Sequence, residues 1–378
     1  MKKIGIMTFH ASLNCGSMLQ AYALQTILTE KYKADVEIIN YSNFGQRNYY
    51  SKWDIFPKPS VWINNFKALP HYKEIDKMRA DYDEFSKKYL NIRTKLLKRR
   101  SQLKGIDNKF DIVIAGGDQV WNVRCRDADI AYFLSFVKNA KKVAYSPSLG
   151  ARNINKYALN PQKYAKLLND FDYLSVREVN GQKWLKELTG KDIPLIADPT
   201  LLLSHDEWLN HLSIRKTKNK EKFMVYYAFY YNNEHNDEIL QKLSAKMNMP
   251  IYIIDRKSWA INKLDKYGIK LYEKSGPIGI LELMENAEIS LVQSFHGIIF
   301  SALFHKTFWS LRNQTIKNPD DDRAKVILNQ LGLEDRAITY EELLEKDITE
   351  KVDYKNADIN IEKMRKKAFE YIESFLED

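Results

Sequence analysis

Cysteine is nearly absent: the 378-residue chain carries two, Cys15 and Cys125. Two thiols cannot build a disulfide framework or a cysteine-based structural zinc site, and they fit a reducing compartment. Glycine (14) and proline (10) are also scarce, which excludes collagen-like and low-complexity chains. No apolar run approaches the roughly 20 residues that span a bilayer. The opening MKKIGIMTFHASLN turns polar after Phe9, so it lacks a signal-peptide core and a cleavage site. These absences predict a cytoplasmic protein, at most peripheral at the inner face of a membrane. No internal repeat is visible.

Hydrophobic residues make up 44% and charged residues 29%, an ordinary globular composition with enough length for two domains. Lysine and arginine (59) outnumber aspartate and glutamate (49), giving a net charge of +10. That balance favours anionic partners: phosphates, nucleic acid or an acidic lipid face. No nucleic-acid-binding motif accompanies the charge, so the expectation is no nucleic acid. The 12% aromatic content fits sugar or base stacking, and equally ordinary core and rim packing.

Short apolar strands alternate with helical stretches. Strands are expected at 3–9, 36–41, 110–115, 142–146, 173–176 and 194–196, with a helix at 17–31. A polar and aromatic insertion, about 42–109, carries helices at 75–90 and 93–103. The charged stretch 204–222 marks a domain junction. Beyond it, strands are expected at 223–229, 251–254, 269–271, 289–292 and 307–310, and helices at 234–247, 278–286, 301–304 and 323–331. The expected organisation is a Rossmann-like lobe at 1–204 on the acceptor side, a second at 205–354 on the donor side, and a helix at 355–378 docking across a lobe. The fold class is α/β, two doubly wound lobes with the active site in the interlobe cleft, at the carboxyl ends of the strands.

Loops after strands are therefore where chemistry is sought. In the first, Asn14 and Gly16 turn the chain into a helix whose free N–H groups and positive dipole end suit an anion. Ser17 either joins that site or caps the helix. In the second, Gly116 and Gly117 let the backbone approach a ligand, and Gln119 and Trp121 follow Asp118, the Trp offering a face to a sugar. Asp118 either orients a hydroxyl and takes its proton or caps the following turn. In the third, Arg177 follows a buried strand and either clamps a phosphate or carboxylate or pairs with Glu178. The stretch Asp198-Pro199-Thr200 reads as a turn closing the lobe. In the last, Ser294-Phe295-His296-Gly297 sets an imidazole at a strand end, with Gly297 permitting a tight turn.

Between residues 87 and 104 lie eight basic residues and no acid, interleaved with Leu90, Leu96, Leu97 and Leu103. The run reads either as a basic amphipathic segment for an anionic membrane or as a solvated face.

Taken in order, these stretches resemble the polysaccharide pyruvyl transferase family. The motifs that carry the resemblance are TFHASLNCGSMLQAYALQ, FDIVIAGGDQVWN, VAYSPSLG, LSVRE, IADPTLLL, ENAEISLVQSFHGIIFSALFHKTF and GLEDR. The resemblance implies a GT-B-like fold and transfer of an enolpyruvyl-derived unit from phosphoenolpyruvate to a sugar. The product would be a pyruvate ketal on a capsular, cell-wall or exopolysaccharide precursor. Matched to this sequence, the family's acidic position falls on Asp118, its arginine on Arg177 and its histidine on His296. Three positions depart from the family's pattern: Gly117 replaces a usual Ser, Gln293 stands where Asn is common, and Pro147 interrupts AYSPSLG.

The resemblance thus implies catalysis by His296, Asp118 and Arg177, with substrate held by Asn14, Gly16, Ser17, Gly117, Gln119, Trp121, Ser294, Phe295 and Gly297. Phosphoenolpyruvate is a co-substrate, and neither a metal nor another cofactor is expected. The expected acceptor is a lipid-linked or nucleotide-linked saccharide. The alternatives are a GT-B-type glycosyltransferase using a nucleotide sugar and a non-catalytic saccharide-binding member of the family.

Overall fold

In a computed structural model, residues 1–150, 152–217, 221–229, 231, 233–312 and 323–377 are described; residues 218–220 of the expected junction lie outside them. The chain forms two units. The first comprises Met1–Ser51, Ser86–Leu203 and Glu362–Asp378, and the second Lys52–Phe85 and Ser204–Ile361.

The first unit is built on four parallel strands, β1 (Lys3–Met7), β2 (Asp35–Ile38), β3 (Ile112–Gly116) and β4 (Lys141–Tyr145), in the order β2-β1-β3-β4. Every residue of β3 is buried, as expected where helices cover both faces of a parallel sheet. The helix Cys15–Glu30 crosses from β1 to β2 and is buried from Cys15 to Leu28, with no solvent stripe. From β1 the chain moves to one neighbour, β2, and later returns on the other side as β3. The loops after β1 and β3 therefore diverge, which opens a crevice at the strands' carboxyl ends. The last turns of Lys355–Glu377 also belong here: Arg365 Nε donates to Leu201 O at 2.9 Å and the Tyr371 hydroxyl to Ala144 O at 2.9 Å.

The second unit has six parallel strands: β5 (Met224–Tyr227), β6 (Ile251–Ile253), β7 (Lys270–Leu271), β8 (Ile289–Val292), β9 (Thr307–Leu311) and β10 (Ala337–Ile338). Their order is β10-β9-β8-β5-β6-β7, so the reversal falls between β5 and β8. The segment Lys52–Phe85, read from the sequence as part of the first lobe's insertion, packs here. Arg256 explains why. It is 4% exposed, and its guanidinium donates to Tyr272 O, Glu273 O, Ser275 Oγ and the Glu74 carboxylate. Asp81 adds a bond from the Ser275 N–H at 2.6 Å.

Several expected elements are corrected. Segments 173–176 and 194–196 are not strands; they make only two isolated bridges, Tyr173 with Val143 and Val176 with Leu195. Side-chain bonds replace the ladder there: Ser175 Oγ accepts from the Ser146 N–H at 2.8 Å and donates to Ala144 O at 2.6 Å. Segment 93–103 is not a helix beyond the 3-10 turn Arg100–Leu103. It runs along the sheet edge, with Leu97 bonded to Asn40 O and to the Ser42 N–H. Of the leucines in the basic run, Leu90 and Leu103 are buried and Leu96 is exposed, so they do not share one face. The helix expected at 301–304 is Phe295–Leu303.

Candidate active site

In the first unit, Asn14 caps the helix Cys15–Glu30, its side chain accepting from the Ser17 N–H at 3.2 Å. Ser17 is therefore not the cap. Its hydroxyl donates instead to Asp118 Oδ2. The other carboxylate oxygen of Asp118 accepts from the Gln119 N–H at 2.7 Å, and the Asp118 carbonyl accepts from the Ser148 N–H at 2.8 Å. Asp118 is thus a fixed carboxylate at the end of β3, 6% exposed and bonded to the first turn of the helix after β1.

Gly117 makes this approach possible. Its φ is +84°, which disfavours any side chain, and a Cβ would lie 1.5 Å from Gln20 Oε1. Gln20 is itself buried and bonded through Nε2 to Thr8 Oγ1 and Ser17 O, both at 2.8 Å. Gln119 is half-buried against Asn122, whose amide donates to Gln119 Oε1 at 3.0 Å.

Trp121 offers no face to a sugar. It is fully buried, stacked on Phe133 at 5.3 Å, with its indole N–H donated to Tyr132 O at 3.1 Å. Burial in the core removes it from the set of substrate contacts.

Arg177 also differs from expectation. The guanidinium is 3% exposed and turns inward, donating from Nη1 to Asp198 Oδ2 at 2.6 Å and to Gly117 O at 3.1 Å. Glu178 is a more distant partner at 3.7 Å. Burial works against the charge of Arg177, but the Asp198, Glu178 and Asp118 carboxylates outweigh it and raise the pKa. The expected clamp on a ligand is therefore replaced by a clamp on Asp198 and on the Gly117 carbonyl beside Asp118. Asp198, read as a closing turn, caps Pro199–Leu202 and anchors Arg177 at the same time.

Two further groups were not legible as site residues. Asp127 lies on the loop that follows Trp121 and is 6% exposed. Burial and the Asp118 charge push its carboxyl up to about 6, against a bond from Gln46. His10, at the end of β1, is buried with Nδ1 facing Thr8 O and Nε2 facing Asn40 Oδ1, each at 3.2 Å. Burial holds its pKa below the ordinary value despite both bonds. Only their positions after strands could have signalled either residue.

Beside this loop a surface cavity of about 440 Å³ is lined by Lys98, Arg99, Arg100 and Arg126, with Tyr41 and Asp129 among its other walls. Asp129 is already engaged by the Tyr41 hydroxyl at 2.8 Å and by the Ala131 N–H at 2.9 Å. The cavity therefore presents mainly positive charge.

In the second unit, Ser294 caps the helix Phe295–Leu303, its hydroxyl accepting from the Gly297 N–H at 2.8 Å. Gly297 lies within that helix and makes no tight turn. Its smallness serves packing, since a Cβ would stand 2.9 Å from Ser294 Oγ and 3.0 Å from Val292 Cβ. His296 occupies the first turn at the carboxyl end of β8, 8% exposed, edge-on to the Phe295 ring at 5.3 Å. Gln293 is tied to the Tyr340 hydroxyl at 2.8 Å, and Tyr340 to the Tyr226 hydroxyl at 2.7 Å. Of the three expected catalytic residues, Asp118 and His296 stand at strand ends with some solvent access, and Arg177 supports from within.

Residues 14–315 match the polysaccharide pyruvyl transferase family. The chain belongs to that family. It is accordingly a transferase-family protein. No curated protein matches it. Among solved structures it is similar to the S. aureus MnaA-UDP co-structure, at 13% identity over 100% of this chain and 97% of that one, TM-score 0.52. It is also similar to UDP-GlcNAc 2-epimerase from Neisseria meningitidis bound to UDP-GlcNAc, at 13% identity over 98% and 99%, TM-score 0.51. The UDP-GlcNAc 2-epimerase from Methanocaldococcus jannaschii gives 13%, 98%, 99% and 0.50. At these identities the likeness is one of fold: this family member has the two-lobed α/β GT-B fold. Among the described residues no helix is long and apolar enough to cross a membrane.

Proposed function

We propose that this pyruvyl transferase family member transfers the enolpyruvyl unit of phosphoenolpyruvate to a saccharide and closes it as a pyruvate ketal. The observation that supports the reading is the fixed Asp118 carboxylate, bonded to Ser17 and Gln119 at the end of β3, in a chain of this family that carries His296 in the first turn of Phe295–Leu303. In this reading a protonated His296 delivers its proton to the methylene carbon of phosphoenolpyruvate, and C2 becomes electrophilic. A sugar hydroxyl adds to C2 and gives its proton to Asp118. A second hydroxyl then displaces phosphate, which leaves with the remaining proton. One ketal and one phosphate result from each phosphoenolpyruvate.

Arg177 acts here as a positioning residue, holding the Gly117 carbonyl and so the backbone that presents Asp118. The acceptor is a saccharide carried on a lipid or a nucleotide, a precursor of a capsule, cell wall or exopolysaccharide assembled at the cytoplasmic side of the membrane. The diphosphate of such a carrier matches the cavity lined by Lys98, Arg99, Arg100 and Arg126.

Phosphate release from phosphoenolpyruvate, measured across a panel of acceptors, tests the reading. The wild-type chain is expected to release phosphate only with an acceptor. His296→Ala is expected to lose ~10²–10⁴-fold in turnover while remaining folded. Release of a nucleoside diphosphate from a nucleotide sugar would replace this reading with glycosyl transfer.

A further inference from the structure

The helix Pro59–Ala68 of the second unit is patterned inside out. Its inward residues are Asn65 and Ala68. Asn65 is 1% exposed; its amide donates to Asp54 O at 2.7 Å and accepts from the Asp54 N–H at 3.1 Å. The large apolar side chains face water instead. Trp62, Ile63 and Phe66 are 44%, 54% and 58% exposed, and Leu69 is 44% exposed. Ile55 and Phe56, just before the helix, are 53% and 41% exposed. Fifteen large hydrophobic residues are exposed among the described residues, and six of them fall between Ile55 and Leu69. Folding alone would select the reverse pattern, with the aromatics inside and the asparagine outside.

The patch is held in shape. The Trp62 indole N–H donates to Phe56 O at 3.1 Å, and Trp53 packs edge-on against Phe66 at 5.3 Å. Its charge has one sign: from Ile55 to Lys73 the sequence contains Lys58, Lys67 and Lys73 and no acid.

We infer that this face is a membrane-docking surface. It seats Trp62, Ile63, Phe66 and Leu69 at the boundary between headgroups and acyl chains of an anionic bilayer, where Lys58 and Lys67 meet the headgroups. Tryptophan favours that boundary, and apolar insertion with basic flanks is the composition that binds there. A symmetric contact between two copies would bring like lysines together with no acid between them, which disfavours self-pairing. The inference deepens the lipid-carried branch of the proposed acceptor and rests on that reading for its purpose alone. Its test requires no turnover.

Flotation of the full chain with phosphatidylcholine vesicles, with and without phosphatidylglycerol, is the experiment. The wild type is expected to float with the anionic vesicles. Ile63→Ser combined with Phe66→Ser is expected to weaken that partition by at least about tenfold, with an unchanged unfolding midpoint. Lys58→Gln with Lys67→Gln is expected to lose the preference for anionic lipid. Three results overturn the inference: a wild type that stays in the load fraction, a double serine variant that floats as well as wild type, or a wild-type dimer in sedimentation velocity that the serine variant dissolves. Normal flotation with no ketal formed would sink the proposed reaction and leave this surface standing.

Discussion

The Arg177 guanidinium donates to the Asp198 carboxylate at 2.6 Å, with both side chains buried inside the first unit. Arg177 also faces Glu178 and Asp118, so one cation balances three buried carboxylates. Removing one partner of a buried pair costs about 3–5 kcal/mol. Asp198→Ala should fall in that range by urea unfolding. Arg177→Met should cost more, since it leaves three buried carboxylates without a cation. A double-mutant cycle of Arg177→Met with Asp198→Ala measures the coupling, and costs that simply add would show that the two side chains are not coupled.

Ser17 donates its hydroxyl to Asp118 and holds that carboxylate in place. Ser17→Ala should therefore lower kcat by roughly tenfold with little change in KM for phosphoenolpyruvate. An unchanged kcat would mean that the bond does not position Asp118 for the reaction.

Asp237, in the first turns of the helix Glu234–Met247, is buried, and burial with the Glu234 charge pushes its carboxyl up to about 7. The folded state then holds a proton that the unfolded state releases above its ordinary carboxylate range. Stability should fall as pH rises between about 4 and 7 and level off above that. Asp237→Asn should flatten this fall and stabilise the chain at pH 8 by an amount on the order of 2–4 kcal/mol. Thermal melts across that range give the comparison, and equal slopes in both proteins would contradict it.

The alternation of strands and helices was legible because buried strands such as Ile289–Val292 are short apolar runs, while helices such as Glu234–Met247 and Arg323–Leu331 are longer and amphipathic; all three fall where the pattern places them. The misreadings share one cause, side chains and distant backbone taking over roles that a local pattern assigns to periodicity. Ser175 replaces ladder bonds that 173–176 was expected to make. The leucines of 93–103 are spaced for a helix, but Leu97 is drawn into a bridge with Tyr41. At the site, the strand ends that present Asp118 and His296 were readable. The inward turn of Arg177 was not, because its partner Asp198 lies 21 positions away, in a stretch that reads as a simple turn. Trp121 misled because an aromatic after a strand looks alike in sequence whether it faces solvent or, as here, Phe133.

The cation-lined cavity predicts a selective effect on affinity. Lys98→Gln, Arg99→Gln and Arg126→Gln combined should raise KM for a diphosphate-linked acceptor by roughly tenfold or more, and the increase should shrink at high salt. Initial-rate measurements at two ionic strengths test this. An unchanged KM would remove the cavity from acceptor binding.

Proton delivery to the methylene carbon of phosphoenolpyruvate is the central chemical claim, and NMR of the product formed in deuterium oxide tests it most directly. The account predicts a ketal methyl group carrying one solvent deuteron, phosphate released in equal amount, and both signals lost together in His296→Ala. A product without a deuterated methyl, or turnover of His296→Ala at the wild-type rate, would contradict it.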